Sequence, residues 1–142
     1  MGVRIKLKVK SLDSGAVIDV NSLLNTGFES EDAEVILPLR VAELLGFYPS
    51  LPKGAVVKTY ETAGGLVRMY HVGEGVEIRA ITEDKASNPV KCAAVISELE
   101  KEVLLSDKTI EDLEIVLERP KEGLWRFRGE QKVRKSVEPQ YW

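Results

Sequence analysis

Val3, Ile5, Leu7 and Val9 alternate with Arg4, Lys6, Lys8 and Lys10, and no other feature narrows the fold of this chain so sharply. Successive side chains of an extended strand leave on opposite faces, so this period of two puts four apolar groups on one side and four cations on the other. Such a strand needs a partner. Asp13-Ser14-Gly15 supplies turn residues, and Ala16 to Leu24 reads as the returning strand of a hairpin. The pattern continues along the chain. Val35-Ile36-Leu37 reads as a short buried strand, and Val56 to Tyr60 and Leu66 to Val72 as strands flanking Glu61-Thr62-Ala63-Gly64-Gly65. Val76 to Ile81, Val90 to Ile96, Ile115 to Leu117 and Leu124 to Phe127 add further strands.

Two short helices interrupt this series. Pro38 stands at a first helical turn, Val41, Leu44 and Leu45 follow at helical spacing, and Gly46 occupies the left-handed cap position. Ser106 caps a second helix carrying Ile110 and Leu113 on one face. The fold class is therefore mainly β with two short helices. A length of 142 residues with 44% hydrophobic content suits one domain with a real core and leaves no room for two full lobes.

Composition excludes several classes. The single cysteine, Cys92, and single histidine, His71, rule out an intrachain disulfide and leave little material for zinc, so no metal or cofactor is expected and both residues read as structural or solvated. No run of about 18 apolar residues is present, and Met1-Gly2-Val3-Arg4 moves straight into strand pattern; a cytoplasmic protein with no membrane association is expected. Lys6 stands where a myristoylation motif requires Ser or Thr. The net charge of −3 is unevenly spread: residues 121–142 hold six basic residues against three acidic ones, leaving −6 for residues 1–120. Trp125, Phe127, Tyr141 and Trp142 lie in this basic stretch and could stack on bases. The interleaved acids argue instead for a solvated strand and a loose end, and against nucleic acid.

The triplet Asn25-Thr26-Gly27 follows Leu23-Leu24 at the end of the hairpin. Together with Val35 to Gly46, the Gly64-Gly65 hairpin, and Leu104-Leu105-Ser106 running into a helix and Ile115-Val116-Leu117, it resembles the retropepsin-like aspartic peptidases, single-lobed relatives of pepsin. The resemblance spans about Val3 to Glu118, dividing the chain into a retropepsin-like domain at 1–120 and a C-terminal strand with a basic aromatic extension at 121–142. It implies a closed barrel and a homodimer, because one active loop per chain makes half a cleft. It places Asn25 where the family has its catalytic aspartate, Thr26 where a hydroxyl bonds across the dimer axis, and Gly27 where backbone approaches substrate. Phe28 and Glu29 fall at substrate-binding positions, and Ala63, Gly64 and Gly65 at the tip of the flap.

The departures matter as much. Peptidases of this class activate water with two carboxylates that share a proton, because like charges a few ångströms apart cannot both ionise. An amide neither gains nor loses a proton near neutral pH and cannot act as that base. Phe28 stands where the family has alanine, and Ser106 where it has glycine. The resemblance thus implies an inactive relative that binds a peptide or protein segment, or serves as a dimerisation module. Two alternatives stay open at this point: an active endopeptidase using another carboxylate such as Asp13 of Asp13-Ser14-Gly15, and a nucleic-acid accessory protein using the basic tail. Asn25 also has a simpler role available, stabilising a turn through its own backbone.

Overall fold

The structure is a computed structural model and describes residues 2–142. Strands β1 (Arg4–Ser11) and β2 (Val17–Leu24) form the expected hairpin, in register from Arg4↔Leu23 to Lys10↔Val17. Ile5, Leu7 and Val9 are buried while Lys6, Lys8 and Lys10 are exposed, so the alternation read from sequence orients the strand as the hydrophobic effect requires. β3 (Glu34–Pro38) leads into α1 (Leu39–Leu44). Gly46 (φ +81°) and Phe47 close that helix with bonds to the carbonyls of Glu43 and Ala42, a Schellman arrangement that needs a left-handed residue at Gly46. Pro38 ends the strand and precedes the helix rather than sitting inside it, and Leu44 turns outward while Ala42 and Leu45 are buried.

β4 (Val56–Thr62) and β5 (Gly65–Ile81) follow, then β6 (Val90–Ser97), β7 (Val103–Leu105), α2 (Asp107–Asp112), β8 (Ile115–Arg119), β9 (Leu124–Phe127) and β10 (Arg134–Lys135). The segments expected as separate strands, Leu66 to Val72 and Val76 to Ile81, are one strand of 17 residues. It is bent between Val72 and Val76, where Glu74 has φ +48° and a Cβ at Gly75 would meet Ala94 at 3.1 Å. The glycines here mark a bulge within a strand, not an end to it.

The order β1-β2-β7-β3-β6-β5, with β5 pairing back onto β1 from Lys6↔Ile81 to Ser11↔Val76, closes a six-stranded barrel. β4 pairs only with β5, so the β4–β5 hairpin stands outside the ring. A second sheet, β10-β9-β8, packs Trp125 and Phe127 into the same apolar cluster as Leu7, Leu37 and Ile96.

The C-terminal residues correct the expectation of a loose end. Val137 N–H donates to the Arg4 carbonyl (2.9 Å), Asn21 N–H to Gln140 Oε1 (2.8 Å) and Trp142 N–H to the Lys101 carbonyl (2.8 Å), so the segment straps the outside of the barrel. Four of its six cations are held by the protein's own acids: Arg126 by Glu118, Arg128 by Glu114, and Arg134 and Lys132 by Asp84. Arg134 holds the Asp84 carboxyl well below the usual carboxylate range, a consequence first of their hydrogen bond.

Candidate functional site

β2 stops at Leu24 and Asn25 opens a tight turn. Asn25 N–H donates to the Leu105 carbonyl (3.1 Å), which fixes the loop to β7, and Phe28 N–H donates to the Asn25 carbonyl (3.0 Å). The Asn25 side-chain oxygen accepts the Gly27 N–H at 3.1 Å. This is an Asx turn, in which the side chain replaces a backbone carbonyl. A Cβ at Gly27 would sit 3.3 Å from that same oxygen, so residue 27 is small because the turn is tight. Asn25 and Phe28 are half-buried; Thr26, Gly27 and Glu29 are exposed.

At the other side stands the β4–β5 hairpin, whose two-residue turn Ala63-Gly64 joins Thr62 to its partner Gly65. Thr62 Oγ1 accepts the Gly64 N–H and donates to the Gly65 carbonyl (2.8 Å), and Gly65 takes φ +113°, open to glycine alone. The tip residues Ala63, Gly64 and Gly65 are exposed. Contact between loop and hairpin runs through aromatic rings below the tip: Phe28 meets Tyr60 edge-on at 6.3 Å and 78°. With Leu23, Val67, Met69 and Leu104 these rings form an apolar cluster distinct from the barrel core.

Behind the loop, Ser106 caps α2 as expected and does more. Its hydroxyl oxygen accepts from Thr109 N–H and from Glu34 N–H, each at 3.3 Å; Ser106 Oγ lies 3.0 Å from Thr109 Oγ1, which donates to the Glu34 carbonyl (2.8 Å). Both hydroxyl side chains are buried. Ser106→Ala is expected to lower stability by about 1–2 kcal/mol, from the lost cap and a stranded Glu34 N–H, as a shift of denaturant midpoint at unchanged slope.

Anchored this way, Glu34 points its carboxylate at the hairpin. Tyr60 O–H donates to Glu34 Oε1 (3.1 Å), and His71 Nε2 lies 3.9 Å from Glu34 Oε2, with the His71 and Glu34 side chains only 15% and 12% exposed. Burial, with help from Glu34, pushes the Tyr60 hydroxyl upward, so it stays a donor throughout the physiological range. Burial and the Lys58 charge push His71 below its ordinary value of 6.5, against the opposing pull of Glu34 and Asp32. Since the folded state holds its proton less tightly than the unfolded chain, this residue's contribution to stability is full above pH 6.5 and falls as pH drops through the folded value. His71→Gln is expected to flatten that part of the stability profile, read from denaturant midpoints across pH 4 to 8.

Sequence reasoning singled out Asn25 and the glycine hairpin but missed this Glu34, Tyr60 and His71 constellation. Each residue lies on a different strand, and no spacing along the chain announces the meeting. Asp13 is exposed in the β1–β2 turn, at the opposite end of that hairpin from Asn25. Its neighbour Ser14 hydrogen-bonds Leu45 near α1. Asp107, nearer the loop, uses Oδ1 to accept the N–H groups of Ser30 and Lys108. Cys92 is buried, and burial pushes its thiol up to about 12. Among the described residues no group of three or more His, Cys, Asp or Glu side chains could hold a metal ion, and no helix is long and apolar enough to cross a membrane. Trp125 and Phe127 are 3% exposed, which removes two of the four aromatics from any stacking surface.

These elements define a mainly β barrel with a glycine-turned hairpin over an Asn-Thr-Gly loop. No protein-family model matches the chain, and a search of curated proteins found no significant match.

Proposed function

We propose that this is a catalytically silent relative of the retropepsin-like peptidases that pairs with a second copy of itself and holds an extended peptide between hairpin and loop. One observation carries the reading: Phe28 of the Asn25 loop and Tyr60 of the hairpin meet in a small apolar cluster outside the barrel core, so loop and hairpin form two sides of one site. Asn25, at the apex of that loop, offers donors and an acceptor but no exchangeable proton. Val67 and Met69, on the same face of the β4–β5 hairpin as Tyr60, extend that cluster along the hairpin and supply the apolar wall that strand-like capture of a peptide uses.

A second chain completes the site. Among the described residues the outer edge of β4 is unpaired, and Thr26 and Gly27 are exposed. Sedimentation equilibrium is expected to give twice the 15.8 kDa of one chain. Panning a displayed peptide library is expected to recover extended apolar sequences that bind and are left intact, with Val67→Asp weakening them about tenfold. A monomer that recovers no peptide, or a protein that cuts what it binds, sinks the proposal.

A further inference from the structure

The C-terminal strap borders a cavity that shares no lining residue with the Asn25 loop, and we infer that it is a binding site for a small organic anion, an apolar body carrying one carboxylate. The cavity holds about 490 Å³ between β1, the turn after β5, β9 and residues 132–137, within the roughly 300–1,000 Å³ of ligand pockets. Ile5, Ile81 and Trp125 line it from the barrel side and Val133 and Val137 from the strap. These walls suit an apolar body.

The polar groups select the rest of the ligand. Trp125 Nε1 and Arg134 Nε are buried donors without an acceptor, on residues 3% exposed and with an 8% exposed side chain respectively. Trp125 and Arg134 are direct cross-strand partners, so their side chains leave the same face of the β9–β10 ribbon, one strand spacing apart. Both line the cavity. A carboxylate has two acceptor oxygens on one carbon and matches two neighbouring donors, whereas leaving buried donors unpaired is unfavourable.

Charge agrees. Of the cations on the lining, Arg4 is engaged by Glu102, Lys6 by Asp19, and Lys132 and Arg134 by Asp84, while Lys135 has no carboxylate within 4.0 Å and Glu83 is the lone acid on the wall. An incoming anion finds one uncommitted ammonium and two uncommitted N–H groups.

The probe is 1-naphthoate, titrated into the full-length protein while indole N–H resonances are followed by NMR; Trp125→Phe and Trp142→Phe assign the two signals. Naphthoate is expected to shift the Trp125 signal saturably and leave that of Trp142 in place. Naphthalene-1-carboxamide, without the charge, and inorganic phosphate, without the apolar body, are expected to bind at least about tenfold more weakly. Val133→Phe, a change on the half-exposed strap, is expected to abolish the shift by filling the cavity, and Lys135→Ala to weaken binding about tenfold. The inference is overturned by no saturable shift at millimolar naphthoate, by equal binding of the carboxamide, or by binding that Val133→Phe leaves unchanged.

Discussion

If the proposed reading holds, Asn25→Asp is expected to give a protein that cleaves peptides in the acid range where the native chain does not. The substitution supplies the one thing the present side chain lacks, a carboxyl that can hold or release a proton. In a dimer, one of the two would ionise while the other stayed protonated, because the second charge is resisted by the first. That arrangement activates water only between the two apparent pKa values of the pair, so the rate should trace a bell against pH. A positioned general base contributes about 10²–10⁴-fold, which sets the scale of the gain over the native chain. The Asx turn survives the change, since a carboxylate oxygen accepts the Gly27 N–H as well as the amide oxygen does. Phe28 limits the rate from the other side: its ring, packed on Tyr60, occupies space a substrate side chain would need. Asn25→Asp with Phe28→Ala is therefore expected to be faster than Asn25→Asp alone. The measurement is cleavage of a quenched fluorescent peptide library from pH 3 to 7. Equal activity in the native protein and Asn25→Asp would show that residue 25 has no part in any cleft, and silence in both variants of a proven dimer would remove the peptidase likeness of the loop.

How much of this arrangement could be read in advance depends on the range of the signal. The β1–β2 hairpin was legible because alternation is local and one buried face enforces it over eight residues. Both helix ends were legible for the same reason: Gly46 and Ser106 act within one turn of themselves. The bend in β5 was misread because Gly73 and Gly75 look alike whether they end a strand or kink it, and only the approach of Ala94 decides. The strap was misread because its cations find their partners up to 50 residues away, as Arg134 finds Asp84. Charge counted along the chain described a solvated tail; charge counted in space describes a clamp.

The site divides in the same way. Asn25 to Gly27 and the Ala63-Gly64 turn announce themselves as short motifs, and the structure brings their neighbourhoods together through Phe28 and Tyr60. Glu34, Tyr60 and His71 had no such announcement. Nothing in the sequence marks Glu34, one residue before the Val35 strand, although its side chain is only 12% exposed. What places it is a chain of hydroxyls, Ser106 and Thr109, holding the start of β3 from behind. Ser106 is thus the residue that aims a carboxylate at the hairpin.

Trp125→Ala is expected to cost about 3–5 kcal/mol, among the largest effects of any single change in this chain. Typical domains hold only about 5–15 kcal/mol in all, so this one change removes a large share of the total stability. The argument is geometric. Trp125 is 3% exposed, meets Phe127 edge-on at 5.0 Å and 77°, and belongs to the cluster formed by the barrel strands. Its removal strips that cluster of a large buried ring on β9, where relaxation is limited because β9 is held by β8 and β10. Tyr141, also aromatic and also in the last stretch of the chain, is 66% exposed, and Tyr141→Ala is expected to change stability by less than about 0.5 kcal/mol. Guanidinium unfolding of the two variants separates two descriptions of residues 121–142. If the segment were an appendage, Trp125→Ala would melt with the native midpoint. If it shares the barrel core, the midpoint falls sharply for Trp125 and stays for Tyr141, with a single transition in both because one apolar cluster unfolds as one cooperative unit.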